Sequence, residues 1–207
     1  MKTRVIGAGR LLLPSRDIAR SNGWQHGLPM EEKLHLDLST VGPPGSIGEV
    51  GRFCIEEGFR GTTALAELCL AMCLESSRHG VRYWISAANM DCDGEEEALI
   101  IYNLIRRRGL FRDDIRVISR VKEGPTRPPR FFFYVDERER SRAIDGDRTA
   151  RLPRAVAADA ALGARYIGAP LWDGHFGMFS MPLIAAVEDV FKAVERICRA
   201  PRRPGAA

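Results

Sequence analysis

The chain has no long apolar run. Its most hydrophobic stretches, 81–88 and 98–104, are short and interrupted, well under the ~18 residues of a membrane-spanning helix. Histidine is sparse: the four stand at 26, 35, 79 and 175, with no HxxH or HExxH spacing. The five cysteines, at 54, 69, 73, 92 and 198, are odd in number and form no CxxC pair. These spacings leave no zinc framework, and no resident metal is expected. Lysine appears only at 2, 33, 122 and 192, so arginine carries nearly all the positive charge. Neither GxxxxGK[ST] nor GxGxxG occurs, which excludes a nucleotide-hydrolysing loop and a dinucleotide fingerprint. There is no internal repeat. The arginines lack interleaved aromatics and 27 acidic residues nearly balance 31 basic ones, so nucleic acid is not an expected partner. Met1 to Arg4 begins like a secretory signal, but Arg10 and Arg16 interrupt the apolar core such a signal needs, and a cytoplasmic protein is expected.

What is present fits an ordinary globular chain. With 207 residues, 45% hydrophobic and 28% charged, the sequence suits one domain over 1–200 with a disordered tail at 201–207. The net charge is only +4, yet Arg106, Arg107, Arg108, Arg112, Arg116 and Arg120 concentrate cations in one region. Two readings stand side by side: a solvated helix end favoured by the helix dipole, or a docking patch for an acidic partner.

Alternation and punctuation predict the course of the chain. Residues 5–13 read as a strand ended by Pro14, and 15–29 as a polar surface loop carrying Trp24 and His26. Leu34, Leu36 and Leu38 alternate before a turn at 42–45. Residues 47–55 form the next strand, broken at 58–61. A helix over 62–79 carries Leu65, Leu68, Cys69, Met72 and Cys73 on one face and ends at Gly80. A strand follows at 81–88, then a helix at 95–108 with acids at its start and arginines at its end. Residues 115–121 and 130–135 read as strands, and the highly charged 136–151 as a mobile loop. A short helix at 152–162 tolerates Pro153 in its first turn. Strands near 165–168 and 177–181 precede a last helix, with Val187, Val190, Phe191, Val194, Ile197 and Cys198 on one stripe. Strands alternating with helices predict an α/β fold with a mixed sheet.

The strand, glycine turn and helix from Glu49 to Leu74 are the segment that suits chemistry. A helix start offers unpaired N–H groups to a phosphate. Arg60 adds charge, Gly61 permits close approach, and Thr62 and Thr63 add hydroxyl donors. Composition alone is equally satisfied by a plain strand-to-helix turn.

Glu49-Val50-Gly51-Arg52-Phe53-Cys54-Ile55 followed by Gly58-Phe59-Arg60-Gly61 resembles the central strand and pyrophosphate loop of GNAT-superfamily acyltransferases. Within them it resembles the fatty-acyl amide branch: ornithine-lipid N-acyltransferases (hemolysin-like), long-chain N-acyl amino acid synthases and acyl-homoserine-lactone synthases. Val5 to Leu12 is similar to their "V-G-x-x-R-L" strand, and His79 to Trp84 to the following helix end and strand. Leu162 to Gly168 with Trp172 to Gly177 is similar to the "L-G-A … G-x-P-x-x-D-x-x-F" ending. The resemblance spans about Val5 to Met181. It implies a GNAT-like mixed β-sheet flanked by helices, here without the family's usual elements ahead of Val5.

Two departures shape the reading. Thr63 and Leu65 occupy glycine positions of the common R-x-x-G-x-G/A loop, which crowds a coenzyme A pyrophosphate. The resemblance therefore implies an acyl carrier protein as donor, bringing its acyl-phosphopantetheine as co-substrate, ahead of acyl-coenzyme A; no cofactor is bound permanently. An acidic carrier protein would give the arginine cluster a partner. The missing N-terminal elements leave open a truncated, non-catalytic scaffold.

The resemblance further assigns an oxyanion contact to main-chain N–H near Ile55, base catalysis through water to Glu49, and the acceptor carboxylate or the orientation of Glu49 to Arg52. Three positions apart, Glu49 and Arg52 face opposite sides of a regular strand; a bulge at Gly51 brings them to one cleft, and without it a cross-strand ion pair is the simpler role. Arg10, inside an apolar strand, pairs with Glu49 or faces substrate. Cys54 reads as a core thiol rather than a nucleophile, Asp91 to Gly94 as a turn rather than a calcium loop, and His175 as structural.

The expected function is N-acyl transfer from a carrier-protein (or coenzyme A) thioester to the amine of an amino-acid-like acceptor, with peripheral membrane contact through a lipid product. A coenzyme A-dependent small-amine acetyltransferase and the non-catalytic acyl or carrier-protein scaffold are the alternatives.

Overall fold

The computed structural model describes residues 4–37, 41–43, 45–121 and 124–199. Leu38 and the remainder at 200–207 lie outside the described residues. The chain is mixed α/β. Its main sheet contains β1 (Gly7–Leu12), β3 (Ile47–Ile55), β4 (Tyr83–Asn89), β8 (Met178–Ala186) and β6 (Arg165–Tyr166) in the order β1-β3-β4-β8-β6, with β7 (Leu171–Asp173) also on β8. Only β3 and β4 run parallel; the other pairings are antiparallel. A separate two-stranded ribbon joins β2 (Leu34–Asp37) to β5 (Arg116–Ser119).

Successive strand residues point to opposite faces, so each long strand supplies two cores. Trp84 and Leu183 enter one cluster, under α3 (Ala64–Arg78), α4 (Glu95–Arg107) and α7 (Val187–Arg199). Their neighbours Ile85 and Ile184 enter the other, with Leu28, Leu34 and Ile47. On α3 the buried positions Ala66, Cys69, Met72, Cys73 and Ser76 form one stripe, which packs on α7. Trp84 donates its indole N–H to Ser76 Oγ at 2.8 Å, so the two buried polar groups satisfy one another. Burial pushes the thiols of Cys69 and Cys73 up, to about 11 and about 12.

Four expectations are corrected. Residues 15–29 contain α1 (Arg16–Asn22), capped by Ser15 Oγ, which accepts from the Ile18 N–H. Residues 136–151 contain α5 (Glu137–Ile144), capped by Asp136 and fastened by Arg140–Glu96, Arg142–Asp147 and Arg151–Glu139 pairs; high charge here reflects paired side chains. Residues 130–135 are not a strand, because side-chain carboxylates take their N–H groups. Cys54 is exposed, not a core thiol. Two further short helices, α2 (Met30–Lys33) and α6 (Arg154–Ala161), complete the chain. Among the described residues no helix is long and apolar enough to cross a membrane.

Candidate functional site

The parallel ladder between β3 and β4 pairs only Ile47 with Tyr83, Gly48 with Trp84 and Glu49 with Ile85. Both strands continue, to Ile55 and Asn89, so they part beyond Glu49 and open a wedge in the sheet. On its far edge β3 stays bound to β1, with one irregularity. Ala8 pairs with Cys54 and Arg10 with Gly51, so Arg52 and Phe53 both stand opposite Gly9. This is a β-bulge, one residue beyond Gly51, and Arg52 carries its strain at φ +53°. Gly9 makes room for it: a Cβ there meets the Phe53 ring at 3.1 Å and Met72 Sδ at 3.2 Å.

Ladder alternation fixes the direction of the last β3 amides. Glu56 N–H donates to Ile6 O at 2.8 Å, so its neighbour Ile55 turns its N–H to the opposite edge, the one β4 has left. The chain then turns through Glu57–Phe59 into α3. The N–H groups of Thr63, Leu65 and Ala66 have no backbone acceptor among the described residues. The two hydroxyls are already engaged: Thr62 donates to Phe59 O at 2.7 Å and Thr63 to Glu67 at 2.7 Å. Arg60 donates to Ile55 O at 3.2 Å, and Gly61, at φ +82°, stands in open space.

Glu49 is buried at the apex of the wedge. Its Oε1 accepts from Arg10 at 3.0 Å and its Oε2 from the Met30 N–H at 2.7 Å, tying β1, β3 and α2 together. Of the two roles open to Arg10, the pair with Glu49 is present. No hydrogen bond or ion pair joins Glu49 to Arg52, which is exposed.

At the carboxyl end of β4 an open cleft of about 450 Å³ is lined by Asp91, Phe131, Phe132, Val135 and Met178 among others. Its wall is irregular chain held by two buried acids. Asp93 accepts from the Arg130 and Phe131 N–H groups, both at 2.8 Å, and Glu97 from Phe133 at 2.9 Å and Tyr134 at 2.7 Å. Burial alone raises the Asp93 carboxyl, but those N–H donors and Arg127 outweigh it and hold it below the usual range. No signal in the RFFFYV run distinguishes this clamp from a strand; the only hint is two acids, Asp93 and Glu97, flanking the start of a helix.

Elsewhere Lys33 and Asp173 pair at 2.5 Å across α2 and β7, and Asp173 also accepts from the His175 and Phe176 N–H groups. The Trp172-Asp173 motif thus has a structural role, and His175 stacks edge-on against Phe176. The arginine cluster is largely engaged: Arg106 pairs with Asp113 over the Phe111 ring, Arg107 donates to Ile144 O, Arg108 to Ala150 O, and Arg112 pairs with Asp114. Among the described residues no group of His, Cys, Asp and Glu is arranged to hold a metal. No family model matches the chain, and no curated protein and no solved structure matches it significantly.

Proposed function

We propose that this chain is an N-acyltransferase of GNAT-like fold, moving a fatty acyl group from a carrier-protein thioester to the amine of an amino-acid-like acceptor. The observation that carries the reading is the parting of β3 from β4 after Glu49, with the Ile55 N–H turned into the gap and the unpaired N–H groups of α3 just beyond. A thioester carbonyl seated there points its oxygen at the Ile55 amide, where charge develops as an amine attacks. The nitrogen–carbon bond forms and the carbon–sulfur bond breaks, and the amine's proton ends on the departing sulfur. Glu49, at the apex, relays that proton through water, held in place by Arg10 and Met30. Arg52, exposed on the bulge, takes the acceptor carboxylate.

The donor's phosphate lies at the start of α3, where Arg60 and free amides favour one anion. Engagement of the Thr62 and Thr63 hydroxyls within the loop supports the single phosphate of a carrier arm over a pyrophosphate. The apolar cleft beside Phe131 and Phe132 suits a fatty chain better than an acetyl group.

The test offers the protein palmitoyl-loaded carrier protein or palmitoyl-coenzyme A, with amino acids including ornithine and homoserine derivatives, and reads products by mass spectrometry. An N-acyl product from the carrier donor is expected. Product from coenzyme A alone overturns the donor assignment, acyl trapped on Cys54 overturns direct attack, and carrier binding without product favours a non-catalytic scaffold.

A further inference from the structure

The outer edge of β1 is open. Glu56 N–H donates to Ile6 O at 2.8 Å, and β1 itself is regular, the bulge lying on β3. Alternation along the strand therefore turns the N–H and C=O groups of Ala8, Arg10 and Leu12 towards β3, and those of Gly7, Gly9 and Leu11 away from it. Among the described residues none of these outward groups has a hydrogen-bond partner, and Ala8 and Gly9 are exposed. The far edge of the sheet is different. There β6 is two residues long, and its outer side is already bridged, Tyr166 N–H donating to Leu110 O and Tyr166 O accepting from the Arg112 N–H.

An open edge is a template for another strand, and proteins that must stay single blunt it with lysine, proline, a bulge or a very short span. Strand β1 has none of these. Gly7–Leu12 contains no lysine or proline, and its one charge, Arg10, is drawn to Glu49. The two faces of the strand are distinct. A Cβ at Gly9 meets Met72 Sδ at 3.2 Å, which marks the face beneath α3. Gly7, Gly9 and Leu11 share that face, and Ala8, Arg10 and Leu12 lie on the other. Leu13, just past the strand, packs on the same cluster as Leu11, while Leu12 packs on the opposite one. Val5, just ahead of it, is 81% exposed.

We infer that β1 is the seam of a homodimer, in which a second copy of the chain adds its own β1 antiparallel, about a two-fold axis through Gly9. Only outward residues can bond across the seam. This register pairs Gly7 with the partner's Leu11, Gly9 with the partner's Gly9 and Leu11 with the partner's Gly7, so every open N–H and C=O gains a partner. Beneath α3 each leucine then stands across from a glycine, and Val5 from the partner's Leu13. On the other face Arg10 stands across from the partner's Ala8. Sliding the strands one way sets Arg10 opposite the partner's Arg10, where like charges repel; sliding them the other way carries Leu11 out of the ladder. With the far edge bridged, the association closes at two copies. Six residues a side make a seam smaller than a standard stable interface, which implies a weak dimer, with a Kd on the order of 100 µM. The wedge lies on the other edge of β3 and stays open, so the inference does not rest on the acyl-transfer reading.

The test is sedimentation of the full chain from about 10 µM to about 1 mM, with amide hydrogen exchange followed by NMR at both ends of that range. A reversible monomer–dimer equilibrium is expected. The Gly7, Gly9 and Leu11 amides should exchange fast in dilute protein and slowly in concentrated protein, while those of Ala8 and Arg10 stay slow in both. Two charge variants at exposed Ala8 check the register, each met twice across the two-fold axis. Ala8→Lys faces the partner's Arg10 and should weaken the dimer about tenfold, whereas Ala8→Glu should tighten it about threefold; circular dichroism confirms that both fold. A chain still monomeric at the upper concentration overturns the inference. So does a dimer in which the three outward amides exchange as fast as before, because it uses another surface. Equal dimer affinities for the two Ala8 variants overturn the axis through Gly9 on which the inference stands.

Discussion

Glu49→Gln separates what the Glu49 carboxylate does for the fold from what it does for the reaction. In the native protein its two oxygens serve two donors, Arg10 at 3.0 Å and Met30 N–H at 2.7 Å. A glutamine has one oxygen, so its amide nitrogen must face one of those donors. Losing a charge-assisted hydrogen bond and leaving a buried donor unpaired costs about 3 kcal/mol in all. Arg10 is 38% exposed along its side chain, and water moderates the penalty on its side. For a chain of this size, that is roughly 6–12 °C in Tm. Replacing both members, Arg10→Met with Glu49→Met, removes the orphaned charge and leaves only the Met30 N–H without an acceptor. The double variant is therefore expected to be less destabilised than the sum of the single ones. Urea unfolding followed by circular dichroism reads both quantities, provided the m-value is unchanged. Activity is then measured below the unfolding range. A base role predicts a fall of ~10²-fold or more in kcat for Glu49→Gln, with Arg10→Met far less affected. A wild-type urea midpoint for Glu49→Gln refutes the structural argument, and equal losses of kcat in Glu49→Gln and Arg10→Met refute the base.

Three other outcomes follow from buried groups. Asp159, half-buried on α6 and in no ion pair among the described residues, has its carboxyl pushed up to about 7 by burial. The native state thus holds a proton that the unfolded chain releases near pH 4, so stability falls as pH rises from about 4 to 7 and levels off above; Asp159→Asn should flatten that slope and raise Tm at pH 8, and an unaltered pH profile refutes it. Glu97→Gln leaves one of the Phe133 and Tyr134 N–H groups without an acceptor. It should cost about 2 kcal/mol in urea unfolding and speed hydrogen exchange of those amides, whereas unchanged exchange shows that the clamp is dispensable. Exposed Cys54 and half-buried Cys198 should react with a thiol reagent in the folded protein, while Cys69, Cys73 and Cys92 react only on unfolding; fast labelling of all five contradicts the core.

The elements legible in the sequence are those whose partners are periodic. Residues 47–55 match β3 as read, and the stripe at Cys69, Met72 and Cys73 places α3 against the sheet. Helix α4 was marked by Glu95 to Glu97 and by Arg106 and Arg107 at its two ends. The three-residue spacing of Glu49 and Arg52 leaves a bulge at Gly51 and a regular strand both open; the structure has a bulge one residue later, where Gly9 admits the Phe53 ring, and it does not bring Arg52 to Glu49. The role of Arg10 required knowing that β1 and β3 are neighbours. Helix α1 escaped notice because its seven residues are polar on nearly every side, with only Ala19 buried; the readable mark was Ser15 followed by Asp17 in the first turn.

The illegible part has a common physical cause. Residues 25–28 and 130–134 take their structure from carboxylates on other segments. Glu31 supplies the acceptors for Gln25, His26 and Leu28, and Asp93 and Glu97 supply them for Arg130, Phe131, Phe133 and Tyr134. A strand run such as Arg130 to Val135 has β-forming side chains, but a strand needs a ladder partner, and two acids on a distant helix start satisfy the same N–H groups without one. Such a clamp frees the segment from pleated geometry. Its side chains need not alternate, so Phe131 and Phe132, adjacent in sequence, both line one cleft, which consecutive strand residues do not do. The same device holds His26 against a second cavity, beside Pro14 and Arg16, while its ring nitrogens stay unpaired. Both cavities are therefore walled by segments whose shape is set by buried acids, and a substitution at Glu31, Asp93 or Glu97 reshapes a cavity wall from beneath it.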